Sequence, residues 1–148
     1  MKVSFFVPGI PAPGGSKRFV GFGKKTGRAI LIDAAGERNK NWRSIVGVCG
    51  SAEMRKSEAI FHGALRVRFD FIMPRPKSHF NSKGDLKPSA PFYHTTKPDA
   101  LKLARSTEDA LTGIVWADDA QTAMLEVSKR YASKGEPCGC QITIQSLE

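Results

Sequence analysis

Residues 65–73 read LRVRFDFIM, which sets Leu65, Val67, Phe69 and Phe71 against Arg66, Arg68 and Asp70 in strict alternation. A period of two sends successive side chains to opposite faces of an extended chain, so this segment is a strand with one apolar face and one wet face. It ends where Pro74 removes the next pairing donor. Residues 98–113, PDALKLARSTEDALTG, follow the other period. At about 100° per residue, Ala100, Leu103, Ala104, Thr107, Ala110 and Leu111 fall on one arc, while Asp99, Lys102, Arg105, Ser106 and Asp109 fall on the other. Pro98 pre-sets the start of this helix, Asp99 complements the positive end of its dipole, and Gly113 stops it. A one-faced strand and a one-faced helix bury their apolar sides together, which points to the α+β class.

The remaining segments fit that class. KVSFFVP at residues 2–8 is strand material, and the cation- and glycine-rich run around GKKTG, flanked by residues 18–22 and 29–32, reads as a basic hairpin. AAGERNKNWRSIVGVCGSAEM forms a helix with Trp42, Ile45, Val46 and Cys49 on one side. Residues 75–96 lack a period and form a long loop, GIVW and QTAMLEVSKRYA are strand material, and QITIQSL closes the fold by pairing back through the turn SKGEPCG. The order is β, basic hairpin, α, β, long loop, α, β, β, with helices packed on one mixed sheet. Trp42 and Trp116 are core anchors, and Leu101, at the border of the apolar arc, is expected in the core. A chain of 148 residues forms one domain, 1–148, and can bury about two-thirds of its unfolded surface.

Charge narrows the partners. The 23 Lys and Arg against 14 Asp and Glu leave a net +9, a balance that attracts polyanions, above all nucleic acid. No apolar run approaches the roughly 20 residues needed to cross a bilayer, and the opening MKVSFFVPGIPAPGG is broken by Pro8 and Gly9, so a soluble cytoplasmic protein without membrane attachment is expected. Three cysteines, Cys49, Cys138 and Cys140, make neither a disulfide framework nor, with scattered histidines, a zinc site. Reduced structural thiols are the expectation.

Within this basic chain, acidic residues gather at the two ends of the 98–113 helix. Asp99 stands at its head and Asp118–Asp119 just beyond its end, so the three converge only if the chain folds back after Gly113. A hard divalent cation is held by one or two carboxylates, waters and the substrate's phosphate oxygens, and it would reconcile such a group with an anionic substrate. Turn formation, capping and solvation explain the same acids without a metal.

KPDALKLARSTEDALTGIVWADDAQ resembles the signature of the RusA-like Holliday-junction resolvases of phages and prophages, K-P-D-x-D-N-L-x-K, then D-A-L-x-G, then D-D-x-Q. The matching positions are Lys97, Pro98, Asp99, Leu103, Asp109, Ala110, Leu111, Gly113, Asp118, Asp119 and Gln121, and GIPAPGGSKR, GRAILID and NWR resemble the phage branch. The resemblance implies a homodimeric, magnesium-dependent endonuclease, with manganese as an alternative ion. Its substrates would be four-way and branched DNA, its role recombination and repair, and its place the cytoplasm of a bacterium or phage-infected host. Asp99 and Asp119 would be catalytic metal ligands and Asp118 a ligand or its support. Arg105 stands where the family has a lysine and keeps the positive charge. Lys17, Arg18, Lys24, Lys25, Arg28, Lys97 and Lys102 would contact DNA, with Lys77, Lys83 and Lys87 weaker candidates.

One departure is sharp. The family's second aspartate is Leu101 here, and the following asparagine is Lys102. Either water replaces that ligand, or Glu108, Asp109 or Glu126 supplies it, or the protein binds junctions without cutting them. A single-strand-binding module is a third class of reading; it needs exposed stacking aromatics, for which the tryptophans and tyrosines are poorly placed.

Overall fold

The computed structural model describes residues 1–14, 17–33, 36–57 and 59–148, with the backbone alone at 17–20 and 30–33. In chain order the elements are β1 (Lys2–Pro8), β2 (Lys17–Phe22), β3 (Ala29–Asp33), α1 (Gly36–Ser57), β4 (Leu65–Met73), α2 (Ala100–Leu111), β5 (Thr122–Tyr131) and β6 (Gly139–Ser146). β2 and β3 form a separate antiparallel hairpin, as the glycine-rich run predicts. The other four strands make a mixed sheet in the order β1-β6-β4-β5, antiparallel except for β4 and β5. This is the expected α+β architecture.

Register carries the alternation of β4 across the whole sheet. Phe5, Ile142, Phe69 and Val127 share one row, and Phe6, Gln141, Asp70 and Ser128 lie in the next, on the opposite face. Both helices cover the apolar face: the Trp42 ring of α1 sits 6.5 Å from Phe71, and Leu103 and Leu111 of α2 join the same core. Trp42 and Trp116 are fully buried with their indole N–H groups donating to Thr107 and Thr112 hydroxyls at 3.0 Å, so neither pays for burial with an orphaned donor. The helices approach closely at Gly50, where a Cβ would lie 2.8 Å from Leu111 Cδ2. The other sheet face is polar. Arg66 pairs with Glu126 and Arg68 with Asp70, surface ion pairs that contribute little to stability.

Several expectations are corrected. β6 does not pair back on β5; it inserts between β1 and β4. Its inner residues Cys140, Ile142 and Ile144 are completely buried, which favours a central position, whereas β5 is exposed or half-buried along most of its length and takes the edge. GIVW is a tight turn, not a strand: the Leu111 carbonyl accepts N–H groups from Ile114 and Val115, and Gly113 adopts φ +86°. The left-handed glycine and the double acceptance by Leu111 curl the chain, leaving Trp116 with isolated bridges to Phe61 and Thr112. Ser106 is buried, because its hydroxyl donates to the Ala12 carbonyl at 2.6 Å and can also reach Leu103 O. Leu101 lies outside the core, 73% exposed. Pro98 stands just ahead of the N-cap residue Asp99 and not in the first turn.

The long loop is held by Arg75. Its Nε donates to Ala132 O at 2.6 Å, its Nη1 donates to Pro91 O at 2.7 Å, and its guanidinium lies over the Tyr131 ring. Beyond it, Phe92 O accepts from Tyr131 N–H and His94 N–H donates to Lys129 O, which delivers the chain to the head of α2 beside the far end of β5. No helix among the described residues is long and apolar enough to cross a membrane.

Candidate metal and DNA-binding site

α2 runs antiparallel to β5. At its head, Lys129 Nζ donates to the carbonyls of Thr96 and Pro98, both at 2.9 Å, and feels the charge of Asp99. Burial lowers the pKa of Lys129, and Asp99 opposes that shift. At its other end, half-buried Glu108 lies beside Thr122 and feels the charge of Asp119. Leu101, Arg105 and Glu108, spaced i, i+4, i+7, therefore form one stripe along α2, with the acidic corner at its far end.

That corner is a built structure. Asp118 caps a short 3-10 turn, Asp119–Gln121, by accepting the Ala120 N–H at 2.8 Å. Gln121 Oε1 accepts the N–H groups of Ala117 and Asp118, each at 3.0 Å, while its Nε2 donates to Phe61 O and Gly63 O. One amide thus ties the corner to the entrance of β4. At roughly 0.5–1.5 kcal/mol net per hydrogen bond, Gln121→Ala is expected to cost about 2–3 kcal/mol in urea unfolding and to loosen Asp119.

Electrostatically, the acids divide into two groups. Burial raises the Glu108 pKa, the neighbouring Thr122 side chain opposes that rise, and the charges of Asp119 and Asp109 add to it. Because the folded state binds its proton more tightly than the unfolded chain, stability should fall as pH rises from the ordinary value of 4.5 through the raised folded value. Glu108→Gln should flatten that part of the stability–pH curve, a difference that chemical denaturation at a series of pH values would measure. Asp99 keeps different company: Lys102 Nζ lies 3.9 Å from its carboxylate, on the side where Lys129 also stands. Nine residues of helix at about 1.5 Å each put Asp99 roughly 14 Å along the axis from Glu108.

Among the described residues, no three His, Cys, Asp or Glu side chains gather closely enough to hold one metal ion. Asp99, Asp118 and Asp119 are therefore not drawn to one point within the chain, and one Asp118 oxygen is engaged in the cap. Of the three substitutes for the missing aspartate, Glu126 is turned to the polar sheet face, where it pairs with Arg66. Glu108 is half-buried and feels the charges of both Asp119 and its neighbour Asp109. Two carboxylates with hard oxygen donors suit a magnesium ion that keeps most of its ligands as water and substrate oxygens.

Lys24, Lys25 and Arg28 are exposed at the hairpin tip, and Lys97 and Lys102 are exposed at the head of α2, whereas the Lys17 and Arg18 side chains lie outside the described residues. The approach to the hairpin is fastened to α2: Gly14 N–H donates to Lys102 O, and a Cβ on Gly14 would sit 3.0 Å from Ser106 Cβ and Asn39 Oδ1. The segment that precedes the basic arm is thus fastened to the Lys102–Ser106 turn of α2. On sequence alone the tyrosines count as poorly placed for stacking and Phe92 is passed over, yet Phe92 and Tyr93 are 55% and 65% exposed, edge to face at 4.9 Å, with the Arg130 guanidinium over Phe92. The only signal was an FY doublet in an aperiodic loop.

The family model described as Endodeoxyribonuclease RusA matches residues 8–145. The chain belongs to the RusA family. A Bacillus subtilis (strain 168) protein described as "Uncharacterized protein YqaN" is 29% identical over 140 residues, covering 89% of each chain. Membership of RusA gives the departure at Leu101 a structural reading. The RusA pattern has an aspartate here, and the leucine that replaces it is exposed on the stripe, so core packing does not demand it. A carboxylate at this position would meet no burial cost.

Proposed function

We propose that the chain is a metal-dependent endonuclease that acts as a homodimer in the cytoplasm, resolving four-way and branched DNA in recombination and repair. The observation that carries this reading is half-buried Glu108, which feels the charge of Asp119 where the stripe along α2 meets the acidic corner, in a +9 member of the RusA family. Glu108 and Asp119 would hold magnesium or manganese, with Asp118 supporting the corner and Asp99 acting from the head of the helix. The ion would activate water and balance charge on the phosphodiester. Arg105, midway along the stripe, offers its guanidinium to the charge that develops on the phosphate, while Lys97, Lys102 and the hairpin cations hold flanking phosphates. Lys129 fixes the Thr96 and Pro98 carbonyls and so sets where Asp99 stands.

A dimer is supported by β5, whose outer edge between residues 123 and 128 takes no strand partner among the described residues, and which exposes Met124 and Leu125. Antiparallel pairing of two such edges about a two-fold axis would set the lysine-flanked Asp99 end of one α2 beside the Glu108–Asp119 end of the other. That arrangement is complementary in charge, and it supplies two sites for two opposed strands.

The test is a labelled four-way junction beside a linear duplex of the same sequence, incubated with magnesium, manganese or EDTA. Paired nicks near the branch point that need metal are expected; cleavage that persists in EDTA would reject the mechanism. Leu101 favours a second reading, a junction-binding protein that does not cut. It predicts a shifted, uncut junction under every condition. Leu101→Asp then separates the two: a large gain of cleavage in an otherwise silent protein marks a degenerate site, while no gain in an active one marks a site that works without this ligand.

A further inference from the structure

A cleft of about 580 Å³ opens between residues 10–13, the first turns of α1, the end of β4 and residues 94–98. Its walls are largely apolar and rigid, including Pro11, Trp42, Ile45, Pro74 and Pro98. Four polar side chains break that surface: Arg38, Asn41, His94 and Lys97. His94 is only 7% exposed; its ring packs on Tyr131 at 4.8 Å, its Nε2 meets Thr96 Oγ1 at 3.4 Å, and its Nδ1 is buried without a hydrogen-bond partner among the described residues. Burial and the Lys129 charge both push its pKa down, which favours the neutral ring with an acceptor as well as a donor.

The composition of the cleft selects its occupant. Proline rings present flat apolar walls that suit a planar heterocycle, an amide and an imidazole suit its mixed donor and acceptor edge, and two cations suit phosphate on either side. An aliphatic ligand would leave the last four groups unused. The cleft also lies where DNA would already be: Lys97 and Pro98 line it, and Asp99 is the next residue. Bases beside a branch point are the least costly to unstack, because their stacking partners are already disrupted.

We propose that this cleft receives one unstacked nucleobase from the branch point, with Asn41 and His94 reading its edge and Arg38 and Lys97 holding the adjoining phosphates. The proposal rests on the branched-DNA reading. It adds that the seated base positions the strand at the head of α2, so that the identity of that base biases which junctions are engaged.

The experiment measures binding in EDTA to an intact four-way junction, to the same junction with a single abasic site at each position flanking the branch in turn, and to linear duplex. Wild type is compared with Ile10→Glu and Ile45→Glu, two independent ways of placing a carboxylate in the cleft at residues 66% and 37% exposed. One abasic position is expected to weaken wild-type binding about tenfold or more. The Glu variants should be weakened on the intact junction, insensitive to that abasic site and unchanged on duplex. A wild type that binds the junction but ignores every abasic site overturns the base cleft alone, as do variants weakened equally on junction and duplex. A wild type that does not distinguish junction from duplex overturns the junction reading and the cleft with it.

Discussion

Asp119→Asn is expected to lower junction cleavage at saturating magnesium by about 10³-fold or more while leaving junction affinity in EDTA within about threefold of wild type. The substitution keeps the volume of the side chain and removes one anionic oxygen donor. The corner itself should survive, because its hydrogen bonds run through Asp118 and Gln121, and the Asp119 side chain makes none of them. A second readout ties the loss to the pairing with Glu108: removing the Asp119 charge takes away one of the influences that raise the Glu108 pKa, so Glu108 should titrate lower in the variant, as carboxyl NMR would follow. Full cleavage by Asp119→Asn would eliminate this carboxylate as a ligand. Loss of cleavage with an unchanged Glu108 titration would mean that the two acids do not work as a pair.

Gly139→Ala is expected to destabilise the fold by about 3 kcal/mol or more, enough to leave a marginal domain substantially unfolded at 37 °C. Gly139 adopts φ +157°, and a Cβ there would lie 2.1 Å from the Val7 carbonyl oxygen and 2.7 Å from Phe6 Cζ. The Phe6 ring can turn aside, but the Val7 carbonyl is strand backbone that cannot yield, since Gly139 pairs with Pro8 on one side and Ile72 on the other and so stands at the end of both ladders of the central strand. Gly135 is the control. It too has a positive φ, +77°, but a Cβ there meets nothing within 4 Å, so Gly135→Ala should cost only about 1 kcal/mol of backbone strain. Urea unfolding of both variants decides the matter; equal costs would show that strain, and not the clash with Val7, dominates at Gly139.

Much of this molecule can be read from periodicity. The alternation of residues 65–73 located β4 and its faces, and the arc Leu103, Ala104, Thr107, Leu111 marked the side of α2 that is buried. Pairing partners could not be read in this way. β5 and β6 are joined by a short turn, yet the deeper burial of β6 sends it between β1 and β4, and no local rule reports such a competition between strands. The site divides in the same manner. Asp99, Asp118, Asp119 and Gln121 could be named from their spacing, whereas the company each keeps could not: Asp99 stands with two lysines and Asp119 with Glu108.

By itself, then, the sequence determined most of the element types, the apolar face of β4 and most of that of α2, the basic arm and the signature that places the chain in the RusA family, because all of these depend on residue identity and spacing along one backbone. The tertiary structure alone decided the strand order, the exposure of Leu101, the nearness of the Glu108 and Asp119 charges and the cleft that His94 lines. Burial and Coulomb energy depend on distances between elements far apart in the chain, and such distances come into being only when the elements pack.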